Sequence, residues 1–272
     1  MIAGVSMPTT EPTIRESWRD SSGRVCATGW LEGERHVIEV AGAGIFEFTA
    51  RSGPTLRRAA PGATDAMLED ARDRIVMPLC MQVRGAELLH GSSVGTPHGA
   101  VVITAVSHTG KSTLAVALAA RGHELRADDL TCFRTTPGGA LHIPLPFRPS
   151  LRSDARDWFG PAFEKIAERA RSHRPVPSPI AAIFVTCRRP EATPGEGRLN
   201  RLPPAAAFRA LLPHAHVFTL QDPERTRSMM NSYLSLAESV PVFELHVPNG
   251  LEQLDRVAAM IESAVSRSRQ AA

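Results

Sequence analysis

Residues 90–129 read HGSSVGTPHGAVVITAVSHTGKSTLAVALAARGHELRADD and are the most informative stretch of the chain. The apolar run Ala100–Ala105 predicts a strand that stops at a short polar loop. After Gly110 the chain continues into a Leu- and Ala-rich segment with the composition of a helix. A GK[ST] sequence binds phosphate in this context of strand, loop and helix. We therefore predict a phosphate-binding loop, against the alternative of an ordinary strand–turn–helix.

The loop and the start of the helix supply the predicted nucleotide-binding residues. Backbone N–H groups of such a loop and of the helix N-terminus converge on a bound anion. Lys111 is predicted to place its charge on the β- and γ-phosphates, and the Ser112 hydroxyl to ligate Mg²⁺. The pattern G-x-x-x-x-G-K-[ST] departs from glycine at Ala105, which we interpret as a modified loop because alanine is the smallest replacement. The nine predicted residues are Ala105, Val106, Ser107, His108, Thr109, Gly110, Lys111, Ser112 and Thr113.

A pair of carboxylates, Asp128 and Asp129, follows this unit. The preceding residues Glu124–Ala127 are long enough for a short strand that returns toward the loop. Adjacent carboxylates at a strand end can hold Mg²⁺ through water and accept a proton from a hydroxyl. The alternative is that the two aspartates only open a turn, as Asp often does. Their position after the loop favours the functional interpretation.

These residues together resemble the catalytic domain of HPr kinase/phosphorylase. Lys111 follows His90 by 21 positions and Asp129 follows Lys111 by 18, as in that family. The close resemblance covers residues 90–129, and a looser one, to stand-alone HPr-kinase-like proteins associated with peptide modification, covers most of the chain. The segments that carry the resemblance are Leu89–Val94, the loop, Arg121–His123, Ala127–Asp129 and Pro144–Pro149.

The resemblance implies a role for each site residue. Asp129 would be the general base toward an acceptor hydroxyl, His90 would line the γ-phosphate, and Ser112 would bind magnesium. Lys111 would act as an electrostatic clamp, and Asp128 would help to hold the metal through water. The implied activity is ATP- and Mg²⁺-dependent transfer of the γ-phosphoryl group to a hydroxyl. By resemblance the hydroxyl is that of a serine on a small protein or precursor peptide.

The sequence also departs from the family. No segment after the aspartates resembles its Glu-x-Arg-Gly-x-Gly signature, so a second carboxylate for the metal is not identified. The later Gly-Arg element, which serves the reverse, phosphorolytic reaction, is also not found, and we do not expect HPr to be the substrate. Two alternatives stay open: a nucleotide-binding regulatory module that does not use its ATP, and a kinase of a free small-molecule alcohol.

Composition narrows the class of protein. The chain has 272 residues, of which 43% are hydrophobic and 22% charged, as in ordinary globular proteins. Its formal charge is only +3, and no basic stripe interleaved with aromatic residues indicates nucleic-acid binding. Its only lysines are Lys111 and Lys165. The four cysteines are too far apart for a zinc knuckle. Without a signal peptide or a membrane-length apolar run, we expect a cytoplasmic protein that is not membrane-bound. Whether it forms a homo-oligomer stays open.

The remaining pattern predicts an α/β fold. We expect a P-loop, HPr-kinase-like core of mixed sheet flanked by helices, with a small β-rich N-terminal region. Alternation within Val25–Thr49 predicts antiparallel hairpins, and residues 51–62 are predicted to be a link rich in breakers. A helix is predicted from Thr64 to Arg84, kinked or divided near Pro78. The predicted parts are a flexible arm at 1–20, a β-rich subdomain at 21–62 and the catalytic domain at 63–272.

Overall fold

The computed structural model forms two compact units, the first up to Arg84 and the second from Gly85. This division lies 22 residues beyond the boundary predicted after residue 62. The helical segment that follows it packs on the first sheet, where Val76 and Leu79 share a core with Phe46 and Phe48. The residues described are 15–19, 22–106, 109–172, 175–187, 197–216 and 223–270.

The first unit contains an antiparallel sheet whose strands pair in chain order. These strands are β1 (Arg15–Arg19), β2 (Val25–Glu32), β3 (Arg35–Val40), β4 (Gly44–Phe48) and β5 (Thr55–Ala59). The predicted hairpins are confirmed. Residues 15–19 of the predicted arm instead pair with β2, and residues 1–14 lie outside the described residues. The predicted link contains β5, which pairs with β4 although all its residues are exposed and give no apolar alternation.

A divided helix completes the first unit. Its two parts, α1 (Asp65–Ala71) and α2 (Met77–Val83), are joined through a π-helical turn at Arg72–Val76. The sequence offers Thr64 or Asp65 as the cap of α1; the Thr64 side chain is the one that accepts a hydrogen bond from the Met67 N–H. Pro78 lies in the first turn of α2, where its missing N–H costs little.

The second unit is built on a mixed sheet, as predicted. Strand β7 pairs in parallel with β11, and β11 with β13, whereas the other pairs are antiparallel. The order is β10-β9-β6-β7-β11-β13-β12, with β8 on β6; because β10 also pairs with β11, five strands close into a ring. The strands are β6 (Glu87–Thr96), β7 (Gly99–Ala105), β8 (Glu124–Ala127), β9 (Leu130–Thr136), β10 (Gly139–Ile143), β11 (Ser178–Cys187), β12 (Arg198–Arg201) and β13 (Val242–His246).

Helices cover both faces of β7. Its residues Val101 and Ile103 belong to the apolar cluster that contains α3 and α8, and Val102 belongs to the cluster that contains α7. A strand buried on both faces has the continuous apolar sequence seen here. No helix in the described part of the chain is both long and apolar enough to span a membrane. The helices are α3 (Lys111–Ala120), α4 (Ser153–Phe159), α5 (Pro161–Ser172), α6 (Pro204–Leu211), α7 (Pro223–Ser239) and α8 (Leu254–Gln270).

Strand β6 positions the two aspartates. One edge of β6 pairs with β9 along Glu87–His90 and with β8 along Ser93–Gly95. Asp128 and Asp129 connect β8 to β9, and the Gly91 N–H donates to the Asp129 carbonyl over 3.0 Å. The other edge of β6 pairs with β7, and this pairing begins at Gly91, opposite Thr104. His90, the aspartates and the end of β7 therefore lie at the same end of the sheet.

Candidate functional site

The predicted loop begins where β7 ends. The Thr109 N–H and hydroxyl both donate to the Val106 carbonyl, over 3.3 and 2.6 Å. Gly110 has a φ of 99°, a left-handed conformation that glycine adopts without steric cost. Ser107 and His108, which were predicted to bind nucleotide, lie outside the described residues.

Ala105, the departure from the loop pattern, is accommodated without strain. It is a fully buried strand residue paired with Thr186 of β11. Among the described residues, the one non-glycine position with a positive φ is Asp129. The backbone at Ala105 therefore does not require glycine, and the methyl group is packed in the sheet.

Lys111 is a buried cation at the first position of α3. Its side chain forms no ion pair or hydrogen bond with another described residue, and the residue is only 8% exposed. Burial lowers its pKa from the ordinary value, opposed by the negative charges of Asp129 and Asp128. A buried charge is unfavourable unless an ion of opposite sign compensates it. Because α3 has no capping side chain and no acid in its first turn, its N–H groups are also open to an anion.

Asp128 is held rigidly beside the loop. Its Oδ1 accepts hydrogen bonds from the hydroxyls of Ser92 (2.8 Å) and Ser112 (2.7 Å) and from the Asp129 N–H (3.1 Å). Its Oδ2 accepts from the Ser150 N–H over 2.9 Å. The residue is 9% exposed. One carboxylate thus joins β6, α3 and the segment after β10, and it holds the loop serine in a defined orientation.

Asp129 differs from Asp128 in its exposure to solvent, because its side chain is 62% exposed. Its φ of 71° is left-handed, a conformation that costs a non-glycine residue about 1–3 kcal/mol and is often found at functional sites. The His90 Nδ1 lies 3.3 Å from its Oδ1. The accessible carboxylate is therefore oriented by an imidazole.

His90 is partly buried, and one of its two ring nitrogens has no hydrogen-bond partner among the described residues. Burial, and next the charge of Lys111, lower its pKa, while Asp129 opposes the shift. Its Nε2 is buried and has no hydrogen-bond partner among the described residues. A buried ring nitrogen without a partner is an available hydrogen-bonding group beside Lys111 and Asp129.

The structure thus brings together five residues that the sequence singled out: His90, Lys111, Ser112, Asp128 and Asp129. Two further predicted residues are less central. Val106 is 70% exposed, and Thr113 is half-buried in the first turn of α3.

Other residues at the site were not predicted. Ser92 lies inside the quoted stretch, but its bond to Asp128 depends on the path of β6. Ser150 acts through its backbone N–H, which no sequence pattern identifies. His214 and His216 reach this end of the sheet through a bridge between Ala215 and Leu89. No local motif relates these two histidines to the loop.

The side chains fit magnesium only in part. No group of three or more His, Cys, Asp or Glu side chains within the described ranges is arranged to hold a metal ion. The Ser112 hydroxyl and the Asp128 carboxylate, 2.7 Å apart, suit an ion that keeps most of its ligands as water and phosphate oxygens. Mg²⁺ behaves in this way in phosphoryl-transfer sites.

Comparison with known proteins gives little. No protein-family model matches the chain, and no curated protein matches it significantly. Among the similar solved structures is the HPr(Ser) kinase/phosphatase from Coxiella burnetii, which is 14% identical, covers 67% of this chain and 93% of its own, and has a TM-score of 0.39. The proposals below therefore depend on the side chains described above and not on this similarity.

Proposed function

We propose that the protein is an ATP-dependent kinase that transfers the γ-phosphoryl group to a hydroxyl. The observation that carries the proposal is the largely buried side chain of Lys111 at the start of α3, which forms no ion pair with another described residue. An anion bound there would compensate the charge of this lysine and meet the free N–H groups of the helix. The phosphates of a nucleotide are the anion that suits a GK[ST] loop.

The residues around Lys111 have separate roles in this proposal. Lys111 stabilises the charge that develops on the phosphates during transfer. The Ser112 hydroxyl and Asp128 hold Mg²⁺, which supplies further charge neutralisation when it is bound. Asp128 is suited to this because its hydrogen bonds fix it in place. His90 orients Asp129 through Nδ1, and its ring lines the position of the γ-phosphoryl group.

Asp129 receives the proton of the acceptor. The acceptor oxygen attacks the γ-phosphorus, the bond from phosphorus to the bridging oxygen breaks, and ADP leaves. The hydroxyl proton passes to a carboxylate oxygen of Asp129, which is exposed enough to meet an acceptor. The contact with His90 Nδ1 orients that carboxylate toward the acceptor, which favours proton acceptance.

The acceptor is proposed from the sequence resemblance, as a serine of a small protein or precursor peptide. A free small-molecule alcohol would use the same groups. One observation favours a second candidate, a regulatory module that binds nucleotide without using it: in the described residues, no third acidic or histidine ligand completes a metal cluster. The two candidates differ in turnover and not in nucleotide binding.

The experiment is a paired measurement on the full chain with Mg²⁺. Affinity for a fluorescent ATP analogue and the rate of ADP release are compared between the parent protein and Asp129→Asn. Losing a general base typically lowers a rate by about 10²–10⁴, whereas nucleotide affinity should change little. Asp70→Asn is the matched control, because Asp70 is a partly exposed residue of α1 in the first unit.

Three outcomes distinguish the proposals. Loss of turnover with retained affinity supports Asp129 as the base. A parallel fall of affinity and turnover would show that Asp129 is a metal-binding or structural residue. A parent protein that binds ATP but releases no ADP with any hydroxyl acceptor, or with water, supports the regulatory module.

A further inference from the structure

A second histidine lies across from His90 at the end of the sheet. His214 ends a short 3₁₀ turn, Leu212–His214, and Ala215 then bridges antiparallel to Leu89 of β6. The His216 N–H donates to the Leu88 carbonyl over 2.9 Å, and the Tyr233 hydroxyl donates to the same oxygen. The hydrogen bond from His216 and the bridge thus hold this segment in register against β6.

The register puts His214 on the same face as the loop. The bridge pairs Ala215 with Leu89, so His214 and His90 are the next residues along their two segments and lie near each other at this end of β6. Leu89 points to the other face, into the cluster with Phe133 and Tyr233. His90 therefore points to the face of Val94 and Ile103, which pack against α3. This is the side on which Lys111 begins its helix.

The pKa of His214 agrees with this placement. Burial lowers the pKa of His214 to about 4, and the charges of His90 and Lys111 contribute to the shift. His214 is 7% exposed, and its ring makes no hydrogen bond with another described residue. A largely buried polar ring at this end of the sheet is available to a bound ligand.

We propose that His214 directly contacts the transferred phosphoryl group and donates a ring N–H to one of its oxygens. The inference rests on the proposed function and adds a residue to it. His214 and His90 would then hold the γ-phosphoryl group from the β6 side, with Lys111 on the helix side. In the described residues, no metal cluster competes for these histidines.

A neutral imidazole suits this position. It donates one N–H without adding a second positive charge next to Lys111, so the unliganded site avoids further repulsion. Hydrogen bonds to charged groups contribute more than those between neutral groups. Because the contact is made to the γ-phosphoryl group, it distinguishes a triphosphate from a diphosphate.

The test compares two nucleotides. Dissociation constants for ADP and for the non-hydrolysable analogue AMP-PNP are measured with Mg²⁺ by calorimetry, for the parent, His214→Ala, His214→Phe and His214→Gln. Phe retains a ring of similar size without an N–H, and Gln retains an N–H donor. His98→Ala is the control, because His98 lies in the turn before β7, at the opposite end of that strand from the loop. Thermal unfolding without nucleotide checks each variant.

The expected result is a loss of AMP-PNP affinity of about 10- to 100-fold in the Ala and Phe variants, with a much smaller change for ADP. Gln should recover part of the loss, and His98→Ala should match the parent. Equal losses for both nucleotides, or none in a folded Phe variant, would overturn the role of His214 alone. A parent protein that binds neither nucleotide would overturn the proposed function as well.

Discussion

Replacing Lys111 by Met tests whether this lysine is retained for ligand binding at the expense of stability. The residue is 8% exposed and has no ionic partner among the described residues. Methionine fills a similar volume with an unbranched apolar chain and leaves no large cavity. The substitution therefore removes the buried charge while the packing is mostly retained.

The unliganded variant should be more stable than the parent. Replacing buried ionic groups by apolar residues of similar volume often stabilises a protein by about 1–4 kcal/mol. We expect about 1 kcal/mol, because Asp128 and Asp129 partly offset the cost of the charge. For a domain of 150–250 residues this raises the midpoint of thermal unfolding by about 2–4 °C.

With nucleotide bound, the parent should be more stable than Lys111→Met. Losing a hydrogen bond to a charged phosphate costs about 1.5–3 kcal/mol, or roughly 10- to 100-fold in affinity. At a ligand concentration 100 times the parent's dissociation constant, the parent gains about 2.7 kcal/mol of stability. A variant that binds 100-fold more weakly gains only about 0.4 kcal/mol. The parent should then unfold at the higher temperature.

The assay is thermal unfolding of both proteins with and without Mg²⁺-ADP or Mg²⁺-AMP-PNP. Lys165→Met is the matched control, because Lys165 is the other lysine of the chain and lies exposed on α5. It should change neither the order nor the ligand effect. The difference between parent and Lys111→Met should also narrow at high pH. The folded pKa of Lys111 lies below the unfolded value, so the unfolded state binds more protons between them and parent stability rises there with pH.

One result would refute this reasoning. If Lys111→Met unfolds at a lower temperature than the parent without ligand and gains as much from nucleotide, the ammonium is a structural group. The anion site would then have to lie elsewhere.

Two further predictions concern the loop and the closed ring of strands. Ala105→Gly should leave nucleotide affinity similar or slightly better in a binding titration and cost about 0.5–1 kcal/mol in the free energy of unfolding, because a strand residue loses its side chain; abolished binding would show a loop unlike the Walker type. His142 is fully buried, and burial, with the charge of Arg126, lowers its pKa to about 4. Because the folded state binds fewer protons between pH 4 and 6.5, stability should fall as pH falls through this window. His142→Gln should flatten that slope in denaturant titrations, and an unchanged slope would contradict the assignment.

Local signals explain why the central unit was predictable. The apolar run of β7, the left-handed Gly110 and the Ala-rich α3 all lie within one short stretch. The motif then fixes which residues begin the helix. The divided α1–α2 helix and the break between α4 and α5 at Gly160 follow from equally local patterns of capping, Pro and Gly.

Elements held only by pairing were not predictable. Strand β5 has five exposed residues and no apolar face, so only its neighbour β4 shows that it is a strand. The closing pair of the ring, β10 with β11, depends on the partners Leu141 with Pro179 and His142 with Ser178. Long-range contacts of this kind leave no periodicity in the sequence.

The site residues also divide into those given by a local motif and those supplied by long-range contacts. Lys111, Ser112, Asp128 and Asp129 belong to motifs, whereas the Ser150 amide and the His214 ring reach the site only through the fold. Spacing predicts which groups do chemistry when they share a strand–loop–helix unit. It does not predict the groups that distant segments supply.

The two aspartates show how adjacent identical residues acquire different chemistry. In a regular strand their side chains would point to opposite faces. Here Asp128 is buried under hydrogen bonds from three elements, and the left-handed turn at Asp129 directs the next carboxylate outward to His90 and solvent. The strain is maintained because the Gly91 N–H holds the Asp129 carbonyl and the Leu130 N–H holds that of Asp128. A rigid carboxylate suits a metal, and an accessible one suits a proton acceptor, so the turn itself separates the two proposed roles.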